Sequence, residues 1–441
     1  MRFRENAPNI ISAAIIAALS YLFVITPLYS DIRVFLGAAR HADLWGAFPF
    51  GVDVIWEIKP MGNKLLFYGI YKISSTFASI PSLEFEMWCK IIYMALAVAI
   101  VLLFINRQRN GMLKDLAHPY LVIWSVLFTV SYFCQMQVEY TCIFLVILAV
   151  TLVAEPNILS KIAGGIVASI LLPMKGVTVL LAPVVPIILD DGKWYYWAGI
   201  AAGITATAVI AIILPHVIPD IILSAKIQGS MTSPGFYVTR MYFLCAYYQS
   251  AVTHIPFLIM IPITAVVWVL ALIKKRAYEE FAACVIVWVL AVAVILVQGK
   301  FSLYHYLVLI IPLAYSLYLN AKLLNLWKYE AVVPALMIIM FSAMQSGALT
   351  DPDHPDLRIA DNIRESKERI ASYSAWNTTK NTPVLYLDGG LAQYYLGKKG
   401  VSRYSLLEAV WYSGDGDMLC RFYDNATVVG GMGEFRSFCK R

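Results

Sequence analysis

Charge is scarce in this chain. Only 14% of its 441 residues are Asp, Glu, Lys or Arg, where a soluble domain carries about 25%. That shortage excludes an ordinary water-soluble globular protein. Short catalytic signatures are missing as well: there is no phosphate-cradling glycine loop, no dinucleotide fingerprint and no nucleophile elbow. The 7 cysteines form no CxxC pair and show no zinc-ligand spacing. Sequence repeats and low-complexity tracts are absent, and so is the alternating pattern of a membrane barrel. Apolar residues fill the space instead, at 60% of the chain. They fall in runs of roughly 17 to 25, the length that crosses a bilayer core as a helix. A helix satisfies its backbone hydrogen bonds within one segment, as hydrocarbon demands. The expected class is therefore a polytopic α-helical membrane protein.

Eleven spans are expected, at about 9–28, 87–106, 118–134, 138–154, 158–173, 175–190, 194–214, 255–273, 279–297, 302–321 and 329–347. The N-terminal Met-Arg-Phe-Arg and the apolar stretch that follows read as an uncleaved first span, since no small-x-small cleavage site follows. Basic residues set the orientation. Arg2 and Arg4, Arg107 with Arg109 and Lys114, Lys274 with Lys275 and Arg276, and Lys322 with Lys328 all fall on the cytoplasmic side if 158–190 is two spans, split at Pro173-Met174-Lys175-Gly176. The net charge of +6 reflects these clusters and calls for no nucleic-acid partner.

Three segments then share the outer side: 29–86, 215–254 and a tail of 348–441 that reads as a small soluble α/β domain following the 1–347 membrane module. Within the first, 32–45 and 62–80 read as amphipathic interfacial helices. In the tail, Pro383–Asp388 reads as a buried strand, a Gly-Gly turn follows, and Leu391–Leu396 reads as a helix. Cys420 and Cys439 lie in this tail and are free to form a disulfide or to remain thiols.

The outer side collects the residues suited to chemistry. Asp31 emerges directly after span one, where a lipid-borne head group would be presented. Such a carboxylate suits a general base on an acceptor hydroxyl, a metal ligand, or simply a helix cap. Asp53, Glu57 and Lys59 follow in the same loop, and Asp31, Asp53 and Glu57 could together hold a divalent cation. Glu139 opens span four, Lys175 sits at the hairpin, and Tyr304, His305 and Tyr306 open span ten. Each alone is compatible with a solvated span end. Their shared side points to a substrate path, where Lys, Arg and His can hydrogen-bond a lipid phosphate. Arg240 and, more distantly, Arg403 are candidates for the same work.

Ser30-Asp31-Ile-Arg-Val-Phe-Leu-Gly-Ala-Ala-Arg40, with Asp53-Val-Ile-Trp-Glu57-Ile-Lys59-Pro60, resembles the first outer loop of family 39 and related GT-C glycosyltransferases. That group includes protein O-mannosyltransferases and the aminoarabinose transferases that modify lipid A. Leu172-Pro-Met-Lys175-Gly176, Tyr304-His305-Tyr306 through Pro312, and Val384 through Gly397 with Ser402-Arg403-Tyr404 resemble later family segments in the same order. Two departures are Met61, where many members carry a second Pro, and Phe50-Gly51-Val52, where Tyr-Arg usually precedes the Asp. The resemblance implies a GT-C fold and transfer of a sugar from a polyprenyl-phosphate donor, with inversion, to a lipid, glycan or protein hydroxyl. It implies Asp31 as catalytic base, with Asp53 and Glu57 as further loop acids. Lys59, Lys175, Arg240 and His305 would lie near the donor phosphate, with Tyr306 and Glu139 beside them, on the extracytoplasmic face of the inner membrane. A flippase, or a ligase or polymerase of polyprenyl-linked glycans, is the alternative that the same composition admits.

Overall fold

The computed structural model describes residues 20–21, 23–44, 61–108, 136–189, 193–214, 217–219, 221–222, 237–254, 258, 260–299, 301–324, 359–374, 384–386, 391–396 and 427–429. Among them four helical stretches are long and apolar enough to cross a membrane: Leu83–Phe104, Trp194–Ile213, Tyr278–Gln298 and Leu303–Leu324. Shorter apolar helices accompany them, including Val138–Val153. The chain is a multi-pass membrane protein whose outward faces are apolar: Trp194, Ile212, Ile213, Val266 and Ile273 are all largely exposed. In a bilayer those faces meet lipid. The expected spans 118–134 and 329–347, and most of 9–28, lie outside the described residues.

The region after the first span folds into two helices, α1 (Ser30–Leu44) and α2 (Met61–Ser74), which pack on α3 (Leu83–Gln108). Phe35 of α1 stacks on Phe67 of α2 at 4.9 Å, and farther along Asp43 of α1 meets Tyr71 and Lys72 of α2. Both sequence numbers rise together, so α1 and α2 run parallel and their N-termini lie at the same end. α1 is buried more deeply than an amphipathic surface helix requires, whereas α2 keeps the two-faced pattern read from the sequence. α1 is buried almost all round, Arg33 included, because its small Gly37, Ala38, Ala39 and Ala42 let neighbours approach closely. α2 buries the face of Asn63, Phe67, Ile70, Tyr71 and Ser74 and leaves Leu65 and Ile73 exposed.

Next come α4 (Val138–Val153), α5 (Ile158–Ser169) and α6 (Leu171–Met174). Helix ends at Lys175, whose backbone is extended, as the Pro-Met-Lys-Gly sequence leads one to expect. The chain resumes as a 3-10 turn, Gly176–Leu181, and α7 (Val184–Leu189). The stretch expected as a span at 175–190 is thus a 3-10 turn followed by a short helix, not one continuous α-helix. The Thr178 hydroxyl holds the break, lying 3.0 Å from the Leu171 carbonyl and 2.7 Å from that of Lys175. Carbonyls freed at a helix end need such partners when buried.

α8 (Lys193–Ile213) crosses α5 at very short range. A Cβ on Gly165 would overlap the Tyr196 carbonyl, and one on Gly199 would overlap the Ile162 carbonyl. Small residues at a helix crossing allow this backbone approach where lipid offers no hydrophobic drive. α9 (Tyr237–His254), α10 (Met260–Lys275), α11 (Tyr278–Gln298), a 3-10 turn at Leu303–Leu309 and α12 (Ile310–Leu324) complete the described helical bundle.

In the C-terminal region, α13 (Ile359–Ser374) and α14 (Leu391–Leu396) accompany two short strands, β1 (Val384–Tyr386) and β2 (Thr427–Val429). The strands pair in parallel, with Val384 opposite Thr427 and Tyr386 opposite Val429. The strand and helix read from the sequence in this stretch are both present. α14 packs on α1, so this region sits at the end of the bundle that carries Asp31. Cys420, Cys439 and Arg403 lie outside the described residues.

Candidate functional site

Asp31 is the second residue of α1 and is partly exposed. Its carboxylate makes no hydrogen bond and no ion pair among the described residues. It therefore does not cap the helix through its side chain, although a negative charge in the first turn suits the helix dipole. A half-exposed carboxylate with no committed partner can accept a proton from an incoming hydroxyl.

The backbone around Asp31 is fixed from below by two side chains one turn apart on α3. Glu86 accepts from the Leu28 N–H at 2.8 Å. It accepts from Arg33 twice, Nε to Oε1 at 2.8 Å and Nη2 to Oε2 at 3.1 Å. Lys90 donates to the carbonyls of Phe23 (3.0 Å), Thr26 and Pro27 (3.3 Å), where the first helix stops. Cations suit the carbonyl end of a helix and a carboxylate suits the free N–H groups of the next one. The bend that delivers Asp31 is thus bracketed by opposite charges.

A second cluster forms around Glu139, the second residue of α4, which is 1% exposed. Its Oε1 pairs with Lys175 Nζ, and His305 Nε2 lies 3.6 Å from the same oxygen. Its Oε2 is buried without a hydrogen-bond partner. Lys175 Nζ also stands 5.7 Å from the Tyr304 ring centre, and Tyr304 meets the His305 ring edge-on at 4.7 Å. Left-handed backbone at a non-glycine residue is uncommon and costs of order 1 kcal/mol. It occurs at Met136 (φ 59°), just ahead of Glu139, and at Phe301 (φ 52°), just ahead of His305.

α2 links the two clusters. A Cβ on Gly62 would come within 2.9 Å of Met174 Sδ and 3.0 Å of the Pro173 backbone. The start of α2 therefore abuts the residues that precede Lys175, while its flank packs on α1. Glu139, Lys175 and His305, read separately from the sequence, meet in one place. Glu139 is the shared partner of two cation-capable groups. Tyr306 is fully buried, and its hydroxyl donates to the Leu244 carbonyl at 2.9 Å, which ties α9 to the turn bearing His305. Arg240 is half-buried on α9, donating through Nη1 to the Leu296 carbonyl at 3.0 Å, while its Nε is buried without a hydrogen-bond partner. Asp53, Glu57 and Lys59 lie outside the described residues. Among the described residues no group of three His, Cys, Asp or Glu side chains is arranged to hold a metal.

The Glu86 bracket was not foreseen from the sequence. The sequence pattern places Glu86 at the end of the outer segment 29–86 and Arg33 on the polar side of an amphipathic 32–45. The available signal was the pair of charges at 86 and 90, four residues apart at the head of an otherwise apolar helix, where a charge needs a buried partner.

No family model matches this chain, and no curated protein matches it. Its fold is similar to that of ArnT from Cupriavidus metallidurans, solved bound to undecaprenyl phosphate. The TM-score is 0.59 at 12% sequence identity, over 95% of this chain and 91% of that one. The likeness is one of fold.

Proposed function

We propose that this chain is a membrane glycosyltransferase that moves a sugar from a polyprenyl-phosphate donor to an acceptor hydroxyl at the extracytoplasmic face of the inner membrane. The observation that carries the reading is Asp31, a half-exposed and uncommitted carboxylate held rigidly at one end of a fold whose solved counterpart binds a polyprenyl phosphate. Lys175 and His305, at the neighbouring cluster, supply cationic or hydrogen-bonding capacity for a phosphate.

In this reading the acceptor oxygen attacks the anomeric carbon from the face opposite the phosphate, and its proton passes to Asp31. The bond from the anomeric carbon to the phosphate oxygen breaks, and the configuration inverts. The departing phosphate gains charge, so it needs a cation more than an acid. Lys175, assisted by Lys59 and Arg240, fills that role. Glu139 orients Lys175 and shares it with the departing phosphate. Asp53 and Glu57 complete the acidic side of the loop, and a divalent cation there is a further element of the proposal. The acceptor is a lipid, a glycan or a protein.

The test uses membranes or purified protein with a radiolabelled polyprenyl-phosphate sugar. Covalent transfer that disappears in Asp31→Asn, with the variant still inserted and folded, is the expected result. Near-normal transfer by Asp31→Asn removes Asp31 from the mechanism. Translocation of the lipid without transfer replaces the enzyme with a flippase.

A further inference from the structure

Glu86 does more than pair with Arg33. Its Oε1 also accepts from the phenol of Tyr394 at 3.0 Å, a contact between residues 308 apart in sequence. Tyr394 belongs to α14 in the C-terminal region and is fully buried. Its ring lies 6.4 Å from that of Phe85, the residue before Glu86. Burial, with the Glu86 carboxylate beside it, pushes the Tyr394 phenol well above its usual range, so it remains a donor. Arg33 Nη2 reaches Ser366 of α13 at 2.8 Å. Arg40 donates to the carbonyls of Tyr394 (2.8 Å) and Tyr395 (3.1 Å), the open end of α14. Tyr395 stacks face to face on Tyr373 of α13 at 4.5 Å and receives the Arg33 guanidinium 5.9 Å from its centre.

Three parts of the chain thus share one buried carboxylate. The Leu28 N–H and Arg33 flank Asp31 by three residues on one side and two on the other. Both reach Glu86, and Glu86 is shared with Tyr394. We propose that Tyr394, acting through Glu86, is a positioning residue for Asp31, and that the docked C-terminal region is thereby part of the catalytic machinery.

The physical case is geometric. A carboxylate with two donors on each oxygen has one orientation. With Tyr394 gone, Oε1 keeps only Arg33, and the Glu86–Arg33 pair loses its hydroxyl tether to α14. Arg33 is two residues from Asp31 on α1, so a shift there moves the base relative to the acceptor. Misplacement of a reacting group by about 1 Å can cost 10²-fold in rate.

The inference rests on the reading of Asp31 as the base, so the experiment separates the two. Tyr394→Phe removes one O–H and keeps the ring. Hydrogen exchange of amides 28–36, read by mass spectrometry on the full-length protein, should rise by at least tenfold. The turnover rate should fall about tenfold or more while the KM for the polyprenyl-phosphate sugar stays within twofold. Arg40→Met, which undocks the same helix without touching Glu86, should reproduce both effects. Unchanged exchange over 28–36 in Tyr394→Phe overturns the coupling whatever the activity. Raised exchange with unchanged turnover overturns the positioning role. Asp31→Asn, assayed alongside, reports on the base itself, so failure of that reading is seen separately.

Discussion

Glu86→Ala is the sharpest test of how the first loop and the C-terminal region hold together. Arg33 and Glu86 are each 1% exposed, and the carboxylate receives four hydrogen bonds, from Leu28 N, Arg33 Nε, Arg33 Nη2 and Tyr394 OH. Truncating it strands a buried guanidinium, a buried phenol and a buried backbone N–H. Removing one partner of a buried ion pair costs about 3–5 kcal/mol. The cost is best read as local undocking, because α13 and α14 meet α1 through these same groups. At about 1.4 kcal/mol per tenfold, the undocked population should rise roughly 10² to 4 × 10³-fold. α13 carries Arg364, Lys367 and Arg369 on its surface, and an intact helix resists trypsin. Cleavage that requires transient opening follows the open population. Limited trypsinolysis in detergent, followed by mass spectrometry, should therefore show cutting within 359–374 accelerated about 100-fold or more in Glu86→Ala. A rate within threefold of the unmodified protein would refute the argument. The double variant Glu86→Leu with Arg33→Met gives an internal control. It removes both charges at similar volume and should recover part of the protection, because apolar replacement of a buried ion pair is close to neutral while the Tyr394 phenol and the Leu28 N–H still lack their acceptor.

The second cluster and the helix crossing make their own predictions. Lys175→Met leaves Glu139 buried without its closest cation and removes a charge from the proposed phosphate site. Transfer should fall by about 10² to 10³-fold, as when one preorganised donor is lost, and an assay with a polyprenyl-phosphate sugar that shows less than a threefold change contradicts the role. Gly165→Val drives a side chain into the Tyr196 carbonyl. It should destabilise the protein by about 1–3 kcal/mol or more, seen as a lower melting temperature in detergent. Gly69→Ala, where a Cβ meets nothing within 4 Å on α2, should instead stabilise by about 0.5–1 kcal/mol.

Much of the local structure was legible one segment at a time. Helix formers interrupted by Pro173 and Gly176 put a break at Lys175, because proline removes a donor and glycine resists helix. Ionisable residues at the edges of apolar runs marked Asp31, Glu139, Lys175 and His305, since charge in hydrocarbon is expensive wherever it lacks a purpose. What could not be read was which of them meet. Glu139 and Lys175 are 36 residues apart and His305 is farther still, and sequence spacing carries no information on a contact made by packing.

Arg33 marks the limit of that reasoning, since an amphipathic 32–45 leaves it on the polar side and the structure buries it within α1. A lone arginine on a short amphipathic segment belongs at an interface, because burying it unpaired costs several kcal/mol. Only a partner reverses that, and the partners here are Glu86, 53 residues on, and Ser366, 333 residues on.

By itself, the sequence determined that the chain lives in a membrane, where one helix breaks and which ionisable residues stand at the edges of apolar runs, because hydrophobic run length and the cost of charge act locally. The tertiary structure alone decided that one buried carboxylate joins the start of α1 to the C-terminal α14. Electrostatic satisfaction inside a protein is settled by which groups are neighbours in space.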